Sequence, residues 1–91
     1  FKNPSKDIAA GYLIDQTGLK GRKSGGAEIS EKHANFIINR EKAKASDVLR
    51  LIRSARNKVI KKFNIELQLE IKLLGFSEKI MKEFSGIAHE Y

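Results

Sequence analysis

The chain has 91 residues, of which 41% are hydrophobic, and its 18 basic and 11 acidic side chains give a net charge of +7. That length makes one small domain with a thin core, and no run approaches the ~18 apolar residues of a membrane span. Without cysteine, disulfides and thiolate metal sites are excluded, which fits a reducing compartment, while the positive balance suits a phosphate-bearing ligand, a nucleic acid or an acidic surface, or simply keeps the domain soluble.

The chain opens on FKNP. It lacks the charged region and apolar run of a signal peptide and reads as a piece of a longer protein. Pro4 holds Asn3 out of the helical region, so the entry is extended. A short helix is expected from a cap at Ser5 or Asp7 to about Gln16, with Ile8, Ala9, Tyr12 and Leu13 on its apolar face. Gly18 then ends it in a left-handed turn.

Leu19 to Gly26, LKGRKSGG, holds three glycines and three cations in eight positions and reads as a loop. It matches neither standard phosphate-binding pattern: Arg22 stands where a P-loop needs glycine, and GxGxxG is absent. Lys20, Arg22 and Lys23 are still a candidate phosphate grip, although on chemistry alone a solvated hairpin loop accounts for them better. A short strand at Ala27–Ile29, a turn at Ser30–His33 and a second strand at Asn35–Asn39 follow.

Ser46 is the expected cap of a long helix ending at Phe63. Val48, Leu51, Ile52, Ala55, Val59 and Phe63 recur at helical spacing and make its buried stripe. The cations Arg50, Arg53, Arg56, Lys58, Lys61 and Lys62 spread around the solvent side rather than forming one stripe, so a solvated face explains them better than a nucleic-acid interface. After Asn64 the stretch Ile65 to Leu74 alternates apolar and polar residues, the pattern of a strand with one buried face. Glu66, Gln68, Glu70 and Lys72 lie on the opposite face. Beyond Gly75 a short helix is expected over Phe76–Phe84, capped by Ser77, and then a frayed tail.

The fold class that results is α+β: a small sheet packed against one long helix plus a short N-terminal helix, in two layers. Few residues invite chemistry. His33 and His89 are too few for a zinc site, and no Ser-His-Asp arrangement or paired carboxylate stands out.

Taken together, FKNP, AAGYLIDQTGLKG, SGGAEISEKHANFIIN, ASDVLRLI and FNIELQLEIKLLG resemble the C-terminal domain of the UDP-N-acetylenolpyruvoylglucosamine reductase (MurB) family. The resemblance spans residues 1–75, and residues 76–91 form an extension beyond it. It implies a cytoplasmic bacterial flavoenzyme of peptidoglycan synthesis, using FAD and NADPH to reduce the enolpyruvyl ether of a UDP-sugar to UDP-N-acetylmuramate. Flavin-binding N-terminal domains are the implied partners, and this piece alone is expected to bind no cofactor and to be inactive. Residue by residue, Glu70 matches the catalytic glutamate that supports the enolic intermediate. Asn3, Lys20 and His33 match substrate-contacting positions, and Lys72 stands where many members carry arginine, with the charge kept and the bidentate fork lost. The family's proton-donating serine falls just before Phe1, and its arginine belongs to the flavin domain. The rival readings are a small basic nucleic-acid-binding module, which would lose affinity steeply with salt, and an interaction domain without a ligand.

Overall fold

The computed structural model describes residues 1–70 and 73–88. Chain order is helix α1 (Ala10–Gln16), strands β1 (Lys23–Ser24), β2 (Ala27–Ile29) and β3 (Ile37–Asn39), helix α2 (Ala45–Phe63), strand β4 (Leu73–Leu74) and helix α3 (Glu78–Ala88). The sheet is four-stranded in the order β1-β2-β3-β4. β1, β2 and β3 pair antiparallel, and β4 pairs parallel to β3, with Ile37 opposite Leu73. The expected α+β architecture stands.

The long helix is the spine. Val48, Leu51, Ile52, Ala55 and Val59 are buried, and Phe63 packs half-buried at the edge of the same core. They meet Leu13 and Ile14 of α1, Ala27 and Ile29 of β2, Ile37 of β3 and Leu67 in one cluster. Burial of this kind stabilises by roughly 1.5–3 kcal/mol per large side chain. Asn64, at φ 56°, closes α2 with its N–H on the Ile60 carbonyl (2.9 Å), the left-handed cap that asparagine tolerates.

The start of α2 differs from expectation. Its cap residue is Lys44, and Ser46 is exposed in the first turn. The capping acceptor is Asp47, whose Oδ2 receives the Lys44 N–H at 2.9 Å. Asp47 is itself buried, and Arg50 Nη1 donates to its Oδ1 at 3.3 Å. A carboxylate in a first turn also suits the helix dipole.

α1 starts at Ala10, later than either expected cap. Ser5 instead accepts the Asp7 N–H (3.3 Å) in a local turn, and the orphan N–H of Ala10 goes to Asn3 Oδ1 at 3.0 Å. The helix therefore buries Ala10, Leu13 and Ile14 and leaves Tyr12 and Ile8 exposed. Gly18 takes the expected left-handed turn, at φ 77°.

The Ile65–Leu74 stretch splits. Among its described residues, Leu73 and Leu74 join the sheet and residues 65–70 do not. Residues 65–70 keep the alternation, with Leu67 fully buried, Ile65 and Leu69 half-buried and Glu66, Gln68 and Glu70 exposed. Their hydrogen-bonding neighbour is the chain's own start: the Lys2 N–H donates to the Gln68 carbonyl at 2.8 Å. α3 runs to Ala88, past the expected Phe84, and Ser77 Oγ caps it on Ile80 N (3.3 Å). It packs on α2, and Phe84 is fully buried in the common core. His89 and the last residues of the expected tail lie outside the described residues.

Candidate functional site

Leu19–Ile29 folds as a tight hairpin rather than a loose loop. Gly21 N donates to Ile29 O (2.8 Å) and Ile29 N to Arg22 O (2.9 Å), after which Lys23–Ser24 pair with Ala27–Glu28. Gly25 and Gly26 make the two-residue turn, with positive φ at Gly25, the geometry hairpins favour. The tip is seated on the start of α2. A Cβ on Gly25 would meet the Asp47 carboxylate, and one on Gly26 would run into the Glu41 backbone.

This hairpin separates the three cations that the sequence places together. Arg22 and Lys23 border a depression shared with Arg50 and Arg53 of α2. Lys20 lies elsewhere, in an open groove of about 390 Å³ between α1 and the turn before β3. Asn3, Tyr12, Asp15, Lys32, His33 and Asn35 also line that groove. Three of the five expected site residues, Asn3, Lys20 and His33, are thus brought to one place.

Each is held by its own local structure. Asn3 is fixed through its Oδ1 on the first N–H of α1, and its amide NH₂ makes no hydrogen bond among the described residues. Lys20 Nζ stands 3.4 Å from Asp15 Oδ2, both partly exposed, a pairing that an incoming anion must compete with. His33 is exposed and sits edge-on to Phe36, with ring centroids 5.5 Å apart. Its backbone N–H goes to Ser30 Oγ (3.2 Å), which also accepts from Lys32 N (3.2 Å). Ser30 is buried and its N–H donates to Phe36 O at 2.9 Å, so the turn presenting His33 and Asn35 is closed on itself.

Glu70 is exposed and borders a different space, a small cavity of about 20 Å³ lined also by Phe1, Asn35, Leu69 and Phe84. Asn35 lines both the cavity and the groove and joins the two. Lys72 lies outside the described residues. Tyr12 is a groove residue that sequence reasoning placed in the core. At 60% exposed it offers an aromatic face to a ligand, and only the late start of α1 reveals this. Among the described residues no cluster of histidine and acidic side chains is arranged for a metal ion, and no helix is long and apolar enough to cross a membrane.

The pattern of the UDP-N-acetylenolpyruvoylglucosamine reductase C-terminal domain matches residues 1–74. The UDP-N-acetylenolpyruvoylglucosamine reductase of Chloroherpeton thalassium is 54% identical over 88 residues, covering 90% of this chain and 28% of that protein. That of Chloroflexus aurantiacus is 55% identical over 74 residues, covering 81% and 25%. The crystal structure of UDP-N-acetylenolpyruvylglucosamine reductase (MurB) from Thermus caldophilus superposes with a TM-score of 0.60 at 44% identity, over 82% of this chain and 26% of that one. The chain therefore spans about a quarter of the length of the relatives it matches. Matched by that pattern over residues 1–74 and this similar to the relatives named, the chain belongs to the family of UDP-N-acetylenolpyruvoylglucosamine reductase C-terminal domains.

Proposed function

We propose that this chain is the substrate-binding domain, with one catalytic carboxylate, of an NADPH-dependent flavoenzyme. That enzyme reduces UDP-N-acetylglucosamine enolpyruvate to UDP-N-acetylmuramate in the bacterial cytoplasm, for cell-wall synthesis. The observation that carries this reading is the groove, which gathers Asn3, Lys20 and His33 in a chain of this family. The groove is open and polar, and Lys20 and Lys32 give it cations for a diphosphate. Tyr12 supplies an aromatic surface beside them.

By the family likeness, FAD is assigned to the N-terminal domains of the longer protein, which are the partners of this chain, and these residues alone are inactive. Lys72, at the far end of the Glu70 segment, is assigned a supporting contact with the substrate.

Glu70 acts on the enolpyruvyl end. Reduction there builds negative charge at the carboxyl-bearing carbon. A Glu70 carboxyl that holds a proton, or shares one with the enol, donates a hydrogen bond to that charge, whereas a bare carboxylate would repel it. Glu70 is exposed in this domain, so this role requires the other domains to close over it and exclude water.

In the intact protein, Glu70→Ala is expected to lower turnover by roughly two powers of ten or more. Flavin reduction by NADPH should stay near normal, since it does not involve the enolpyruvyl carbons. Glu66→Ala is the control: Glu66 is exposed and pairs with Arg56 at 3.1 Å, away from the groove. Stopped-flow traces of the two half-reactions decide it, and an unimpaired oxidative half-reaction in Glu70→Ala removes Glu70 from the mechanism.

A further inference from the structure

The segment that carries Asn3 and the segment that carries Glu70 touch through Phe1 and Lys2. On one side, Lys2 N donates to Gln68 O at 2.8 Å, and the terminal ammonium of Phe1 to Glu70 O at 3.1 Å. On the other side stands a single side chain. Asn35 Oδ1 accepts from Phe1 N at 2.6 Å, and Asn35 Nδ2 donates to Phe1 O at 2.7 Å. The Phe1 nitrogen is here the charged start of the chain, so the bond that carries over to a longer protein is the one from Asn35 Nδ2 to the Phe1 carbonyl. The orientation of the amide follows, because Phe1 N can only donate and Phe1 O can only accept.

Asn35 is well anchored for this. Its neighbour Ala34 is buried, and Phe36 N closes the turn on His33 O at 2.9 Å. α1 approaches so closely that a Cβ on Gly11 would lie 3.4 Å from the Asn35 Cβ. The same side chain borders the groove of Asn3, Lys20 and His33 and the cavity beside Glu70.

We infer that Asn35 is a positioning residue: its side-chain Nδ2, bonded to the Phe1 carbonyl, fixes the groove relative to Glu70. This rests on the function proposed above. Asn35 acts through the Phe1 backbone and touches no reacting atom. Loss of its donor lets the Phe1–Asn3 segment slip along residues 68–70, which displaces the substrate from Glu70 while most of the binding contacts survive. An error of about 1 Å at a reacting centre is worth roughly a hundredfold in rate.

The test uses the intact protein with Asn35→Asp and Asn35→Leu. Aspartate has the shape of asparagine and, ionised, sets a carboxylate oxygen against the Phe1 carbonyl; protonated, it regains one donor and one acceptor. At pH 8, turnover of Asn35→Asp should fall at least tenfold, with KM for the UDP-sugar changed less than threefold and flavin reduction unchanged. Toward pH 5 the deficit relative to wild type should shrink, whereas Asn35→Leu stays slow throughout. Asp15, Lys20, Lys32, His33 and Glu70 border the same spaces, and the ratio to wild type at each pH removes the titrations both proteins share.

An Asn35→Asp turnover within twofold of wild type at pH 8, a deficit equal at both pH values, or a rise in KM alone overturns the assignment; the last would make Asn35 a direct ligand contact. Amide exchange at Lys2 should be at least tenfold faster in both variants at pH 8, and unchanged exchange also overturns it. That readout holds even if wild type shows no reductase activity, an outcome that sinks the proposed function rather than the clamp. Should Asn35→Leu fail to fold, the pH series of Asn35→Asp still decides.

Discussion

The hairpin tip and one cation of the groove, Lys20, come from one Gly-rich, basic stretch of sequence, yet the two places are built by opposite rules. At the tip, Gly25 and Gly26 are required by close approach to the start of α2, and Asp47 is buried between them and Arg50. In the groove, Lys20 and His33 are exposed, and their contacts with Asp15 and Phe36 are loose ones that a ligand can replace. The difference teaches that the glycines of this stretch serve the fold and that its one candidate ligand contact is Lys20, before the paired strands begin. Substitutions at the tip should therefore move stability and leave binding alone, and substitutions in the groove should do the reverse.

The sharpest way to break this comparison is Gly26→Ala. The added methyl would overlap the Glu41 backbone, which cannot turn aside as a flexible side chain does. The expected cost is about 3 kcal/mol or more, a large part of what a small domain has, so the variant should unfold at ambient temperature in a thermal scan. Gly18→Ala is the comparison. Its φ is also positive, at 77°, but nothing lies near the new methyl, so backbone strain alone should cost roughly 1–2 kcal/mol. Equal losses at the two positions would show that the tip is not seated on α2 as described.

Next in size is Asp47→Ala. It removes the acceptor for Lys44 N–H and the partner of Arg50. Loss of a cap costs about 0.5–2 kcal/mol, read as a lower urea midpoint with unchanged slope. Asp47→Asn keeps an acceptor and should lose markedly less. In the intact protein neither should change KM for the UDP-sugar, and a clear rise would break the separation of tip from groove.

The sequence made the spine and the burial faces legible, but not the partners. The stripe of α2 is buried as its spacing implies, because helical periodicity reports a face directly. The alternation of Ile65–Glu70 is equally real, yet it says which side is buried and not which backbone lies alongside. Here that neighbour is Phe1–Lys2 and, beyond it, an asparagine amide, a pairing across 34 residues that no local pattern contains. The start of α1 differs from its expected cap for a similar reason: its first N–H is served by Asn3 from seven residues upstream, not by an adjacent cap. Charge was the least legible property, since Lys20, Arg22 and Lys23 are close in sequence and the hairpin sends them to different surfaces.

The smallest stability effect and the cleanest test of the groove is Lys20→Ala. Its pairing with Asp15 is partly exposed, and such pairs contribute under about 1 kcal/mol, so the urea midpoint should barely move. In the intact protein the UDP-sugar diphosphate is present equally in the ground and transition states. A contact to it is uniform binding, and its loss should raise KM more than it lowers turnover. Lys23→Ala removes the same charge from the same stretch, but on the other surface. The two variants share one net charge, so any long-range attraction of the anionic substrate weakens in both. A rise of several-fold in KM for Lys20→Ala with little change for Lys23→Ala would locate the diphosphate in the groove. Matching changes in both would mean that only overall charge matters, and an unchanged KM in Lys20→Ala would take Lys20 out of the site.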